Sequence, residues 1–129
     1  MRAFYWFDEQ LRARLAVRGW KGITRSQSLV LANVANGITR PSHIATNLGV
    51  SRQAMSQLLS EMTVAGLVET VPDPDDRRAQ QVVFSSSGGE IREAASSILR
   101  DLERELADAA GTRAMAGLRT VLKVLPQAE

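Results

Sequence analysis

Residues 41–86 read PSHIATNLGVSRQAMSQLLSEMTVAGLVETVPDPDDRRAQQVVFSS and leave the backbone few options. Pro41 suits a first helical turn, and a short helix through Ile44, Ala45 and Leu48 has its stop at Gly49. Ser51 is placed to cap a third helix, 52 to 65, closed by Gly66. Val68 to Val71 then alternates apolar with polar, and Gln81 to Ser85 is β-branched and aromatic around Phe84. Between them stand two prolines, three aspartates and the adjacent Arg77 and Arg78, which make a hairpin with a charged tip. Upstream, Thr24 and Gln27 form a T-x-x-Q capping box for a helix from about 25 to 35, with Leu29, Val30, Leu31, Val34 and Ala35 on its apolar face and Asn36-Gly37 at its end.

Projected at 100° per residue, the helix from 52 to 65 separates into two sides. Ala54, Met55, Leu58, Leu59, Met62 and Ala65 are expected to face the core, and Arg52, Gln53, Ser56, Gln57, Ser60 and Thr63 to face out. A merely solvated face would be filled with Lys and Glu. Gln, Ser and Thr side chains both donate and accept hydrogen bonds, as reading base edges in a major groove requires. A short helix, a tight turn and a longer helix place the first as a brace for the second across a groove. With a charged hairpin directly behind, the layout is a winged helix, whose wing can bring guanidinium groups to a neighbouring minor groove.

The rest of the chain narrows the alternatives. It has 129 residues, enough for one domain with a modest core. It contains no cysteine, which excludes disulfide scaffolds, thiolate zinc sites and thiol chemistry, and together with a start free of any signal-peptide pattern it points to the cytoplasm. No apolar stretch is long enough to span a bilayer, so no membrane partner is expected. An enzyme is disfavoured by the single histidine and by the lack of a Gly-rich phosphate loop, G-x-S-x-G or H-E-x-x-H. The D-x-D of Asp73 to Asp75 fails as a calcium loop, with Arg78 at the sixth position and Phe84 at the twelfth. No metal and no cofactor are expected. The net charge of +2 is unevenly spread: +5 over residues 1–40, −2 over 41–85 and −1 over 86–129. A broad basic surface is thereby excluded from the hairpin region, leaving a few placed arginines.

The flanks are helical. Ile91, Ala95, Ile98, Leu102, Leu106 and Ala109 make a stripe from about 87 to 109, Gly111 breaks it, and Thr112 caps a last helix carrying Met115, Leu118, Leu122 and Leu125. Five of the six aromatic residues lie in the first 20, so the N-terminal segment is also strongly apolar. A winged core of about 65 residues cannot cover all three terminal helices, and a twofold homodimer is the economical solution. The expected organisation is a single domain, mainly α with a small β-hairpin wing. Residues 1–22 would form an N-terminal dimerisation helix, 23–86 the winged helix-turn-helix DNA-binding core, and 87–129 the C-terminal dimerisation helices.

In residues 23 to 88 the sequence resembles the MarR family of winged helix-turn-helix transcriptional regulators. ITRSQSLVLANVANG is similar to the family's second helix, SRQAMSQLLSEMTVAGLVE to its recognition helix and first wing strand, and DPDDRRAQQVVFSSSG to its wing signature. The closing LKVLP also resembles the family. The resemblance implies a homodimer on double-stranded DNA, a repressor acting at a pseudo-palindromic operator. The residues placed at DNA are Ser51, Arg52, Gln53, Ser56, Gln57, Ser60, Arg77 and Arg78, with Asp76 holding the wing through an arginine. Which arginine pairs with Asp76 stays open, and the resemblance favours Arg78 as the outward one. It further implies release by a small aromatic effector bound between the dimer helices and the winged core. Trp6, Trp20 and His43 are the candidates there, against plainer readings as dimer core for the aromatics and a solvated or capping residue for His43. Gln80 departs from the family pattern, which has a basic wing residue there. The alternative is a winged helix that docks protein without binding DNA, and it requires apolar anchors on the outer face of residues 52 to 63.

Overall fold

The computed structural model describes residues 2–126. Six helices and one hairpin follow in order: α1 Arg2–Val17, α2 Arg25–Ala35, α3 Pro41–Leu48, α4 Arg52–Val64, β1 Val68–Pro72, β2 Gln80–Phe84, α5 Ser86–Ala110 and α6 Thr112–Lys123. The fold is mainly helical with a two-stranded antiparallel wing, as the sequence pattern requires.

Local chemistry sets most of these boundaries. Thr24 and Gln27 make a complete capping box on α2, and Ser51 accepts the Ala54 N–H at the start of α4. α3 begins with Pro41 and ends at Gly49, whose φ of 69° lies in the left-handed region that a β-carbon disfavours. At α6 the expected cap is corrected. Thr112 is the first helical residue and makes no capping bond, because Gly111 occupies the N-cap.

One core joins these elements. Val30, Leu31 and Val34 of α2 meet Ile44 and Ala45 of α3, Met55, Leu59 and Met62 of α4, and Val68 and Val82 of the wing. Leu15 of α1 and Ile91, Ala94, Ile98 and Leu102 of α5 close the same cluster from the other side. Each of these large side chains contributes roughly 1.5–3 kcal/mol on full burial. Ala94 takes the buried place expected for Ala95, and Ala109 is exposed, since 25 residues of helix drift off any short stripe. Ala54 of α4 and Ala65 at its C-cap are exposed rather than buried; Met55, Leu59 and Met62 are buried, and Leu58 packs partly buried against the same core.

α1 is fastened by ions as well as by Leu15. The Asp8 carboxylate is buried and accepts from the Nε of both Arg12 and Arg25 at 2.9 Å, and Arg25 also stacks on Tyr5 at 4.4 Å. Burial pushes the Asp8 carboxyl up, but the bonds from Arg25 and Arg12 outweigh it and hold it below the ordinary carboxylate range. Arg14 grips Glu105 of α5 through two parallel bonds of 2.8 Å.

Where β2 gives way to α5 the packing is tight. Ser85 donates its hydroxyl to the Gly66 carbonyl and accepts the Gly88 N–H at 2.9 Å. A β-carbon on Gly88 would collide with the Leu67 carbonyl oxygen. Glycine is required there by close approach rather than by backbone conformation.

Candidate nucleic-acid interface

α4 presents Arg52, Gln53, Ser56, Gln57 and Ser60 to solvent, while Met55, Leu59 and Met62 anchor it from beneath. Arg52, Ser56 and Ser60, four residues apart, form one row along an open groove of about 750 Å³ between α3, α4 and the wing. Ser42 of α3 and Thr70 and Gln80 of the wing complete its polar walls. Gln53 and Gln57 are not among the groove's lining and stand on the helix's other exposed flank, Gln57 within 3.4 Å of Glu61. Ser51 is exposed, but its hydroxyl is engaged in capping. Val64, the last helical residue, is the one large apolar side chain of α4 left exposed, at 90 %.

The wing pairs Val68 with Phe84 through to Pro72 with Gln80, and beyond that the chain turns through residues 73–79. Arg77 and Arg78 sit at the tip, exposed, and neither forms an ion pair among the described residues. Asp76 forms no ion pair with an arginine among the described residues; its Oδ1 accepts the Arg78 backbone N–H at 3.0 Å. The aspartate that pairs with an arginine is Asp73, whose Oδ2 accepts from Arg40 Nε at 3.1 Å while its Oδ1 accepts the Asp75 N–H at 2.9 Å. A turn carboxylate two residues before an N–H closes an Asx turn, and this tip has two in succession. Sequence reading missed Arg40 and Asp73 because their pairing spans 33 residues and no local pattern encodes it.

Charge is distributed by pairing. Five of the seven cations in residues 1–40, namely Arg12, Arg14, Arg18, Arg25 and Arg40, are matched to Asp8, Glu105, Asp101 or Asp73. The positive N-terminal segment is therefore largely neutralised within the fold. Arg52, Arg77 and Arg78 have no such partner among the described residues. They are the cations left available on the α4 and wing side of the molecule.

Trp6, Trp20 and His43 do not converge. Trp6 is exposed on α1 against Phe7, Trp20 is half-buried after α1, and His43 is exposed on α3. The cavity between α1, α2, β2 and α5, about 340 Å³, is lined by none of them. Pinned through Asp8, α1 turns Leu11 and Leu15 toward that space and leaves Trp6 outside. The cavity's polar groups are Ser28, Asn36, Arg92 and Ser96, with Arg92 stacked on Phe84 at 5.4 Å.

The sequence pattern of the MarR family matches residues 21–79, the span from α2 through the wing tip. That span is just under half of the chain, and over it the chain resembles the MarR family. Similarity to solved MarR structures extends over nearly its whole length. The Multiple Antibiotic Resistance Repressor, MarR, is 26 % identical with a TM-score of 0.72, covering 97 % of this chain and 91 % of that one. A cysteine-to-serine mutant of MarR from E. coli complexed with operator DNA is 28 % identical with a TM-score of 0.65, covering 93 % and 86 %. The transcriptional activatory protein BadR of Rhodopseudomonas palustris is 37 % identical over 78 residues, 57 % of this chain and 44 % of BadR, so the match spans less than half of BadR. The chain has the fold of the MarR transcriptional regulators, one of which has been solved with operator DNA. No helix among the described residues is long and apolar enough to cross a membrane.

Proposed function

We propose that this chain is a sequence-specific double-stranded DNA-binding repressor of transcription that acts as a homodimer on a pseudo-palindromic operator. The observation that carries the reading is the exposed hydroxyl, amide and guanidinium face of α4, beside a wing tipped by two exposed arginines that form no ion pair among the described residues. In this reading α4 enters the major groove. Arg52, Gln53, Ser56, Gln57 and Ser60 meet base edges and flanking phosphates there, and Arg77 and Arg78 address the adjacent minor groove. Two copies related by a twofold axis address half-sites about 34 Å apart. The apolar residues left exposed on α1 and α6, among them Phe4, Trp6, Leu118 and Leu122, supply the contact between copies. Repression is favoured over activation because the likeness to the MarR repressor spans nearly both chains, whereas that to BadR is partial.

A protein-docking winged helix would need a cluster of large apolar anchors on α4, and Val64 alone at one end does not supply it. The effector reading moves from Trp6, Trp20 and His43 to the α1–α2–α5 cavity, where Leu11, Leu15, Leu31 and Phe84 offer apolar walls and Arg92 a cation for an aromatic carboxylate.

A gel-shift titration with DNA from upstream of the chain's own coding sequence tests both parts. The expected result is one complex that survives excess random DNA and dissociates on adding salicylate. Binding with no preference over random DNA would overturn sequence-specific regulation. Persistence of the complex with salicylate and related aromatic acids would overturn the effector reading alone.

A further inference from the structure

Two consecutive residues reach the wing at separate points. The Thr39 carbonyl accepts the Val82 N–H at 2.8 Å, and Arg40 Nε donates to Asp73 at 3.1 Å. Val82 pairs with Thr70, so the two tethers are three residues apart along the first strand and its extension, roughly 10 Å. A two-stranded ribbon held at one point can pivot, and held at two it cannot. Arg40 is also the N-cap residue of α3, which packs on α4, so the wing is referenced to the same rigid unit that carries the recognition face.

The chemistry makes the outer tether decisive. The Asp73 side chain is 7 % exposed and that of Arg40 42 %. One carboxylate holds the tip turn through the Asp75 N–H and the wing through Arg40. First that N–H, then Arg40, hold the Asp73 carboxyl below the usual range against the opposing effect of burial, so the pair is formed at neutral pH. Without Arg40 the carboxylate would be left covered and without a cation, and its rehydration would draw the turn outward.

We propose that Arg40 is a positioning residue for DNA binding: acting through Asp73, it fixes the wing relative to α4, so that Arg77 and Arg78 reach the minor groove while α4 occupies the major groove. This rests on the DNA-binding reading above.

The absence of cysteine allows a nitroxide to be placed at the wing tip by Arg77→Cys and read by electron paramagnetic resonance in the free protein. Adding Arg40→Ala should narrow the spectral lines, and Arg40→Lys, which keeps the charge but not the Nε geometry, should narrow them less. On operator DNA, Arg40→Ala without the label should remove the minor-groove protections from a hydroxyl-radical footprint, keep those under α4, and lower affinity about tenfold. Arg40→Ala with Asp73→Asn should bind no worse than Asp73→Asn alone. Unchanged line shape together with an unchanged footprint would overturn the proposal, even if Arg40→Ala lowered Tm. If the parent chain leaves no footprint at all, the DNA-binding reading fails, while the free-protein spectra still decide whether Arg40 holds the wing.

Discussion

α4 and α6 are helices of similar length and opposite disposition. α4 has turned its apolar side inward, burying Met55, Leu59 and Met62, and shows solvent hydroxyls, amides and one guanidinium. α6 buries only Met115 and leaves Leu118, Val121 and Leu122 between 44 and 58 % exposed. A helix satisfied within its own chain is ready for a hydrated, charged partner. One with its apolar side in water needs an apolar partner, and the nearest available is another copy of itself. Two amphipathic helices in one chain thus offer different kinds of surface, as the proposed dimeric reader of DNA requires.

The comparison can be broken most severely from the α6 side. Leu118→Asp with Leu122→Asp should give a monomer by sedimentation equilibrium, and operator affinity should fall by about 100-fold or more as the second half-site ceases to assist the first. Retention of the dimer would show that α6 faces something else. On the α4 side, Arg52→Ala should leave the dimer intact and reduce operator binding by about 1–3 kcal/mol, with random DNA bound nearly as before, measured by fluorescence anisotropy. A smaller and more uniform loss is expected from Arg78→Ala: operator and random DNA weaken together and the salt slope falls by about 1. Asp8→Asn sharpens the contrast as a control touching neither face. It should lower Tm, with any change in operator affinity at neutral pH smaller than that from Arg52→Ala. Because the Asp8 carboxyl is held below its ordinary value, its stabilisation is present above that value and lost as pH falls below about 4. The parent's Tm should therefore drop toward the variant's in acid, as thermal melts across pH would report.

What could be read in the sequence was what short-range chemistry encodes. α2 and α3 begin and end where the capping box, Pro41 and Gly49 place them, because each signal acts within a single helical turn. The outer face of α4 was legible for the same reason, since helical period alone sorts Arg52, Ser56 and Ser60 from Met55 and Leu59. Apart from the α6 cap, which Gly111 takes in place of Thr112, and the alanines of α4 and α5, the misses are long-range. Arg40 and Asp73, Asp8 and Arg25, and Arg14 and Glu105 meet across 33, 17 and 91 residues, and nothing in their neighbours' identities announces them. Trp6 and His43 were grouped by chemical type, but a shared cavity depends on how whole helices are rotated, and for α1 that is set by the Asp8 contacts with Arg25.

Gly88 bears on mechanics. The first turn of α5 rests against the Leu67 carbonyl with no space for so much as a methyl group, and that carbonyl belongs to the turn joining α4 to the wing. From this seat α5 extends 25 residues, about 37 Å. A displacement of an ångström or two at the far end would amount to only a few degrees at this seat, and the contact at Gly88 has no slack to absorb them before they reach the turn below α4.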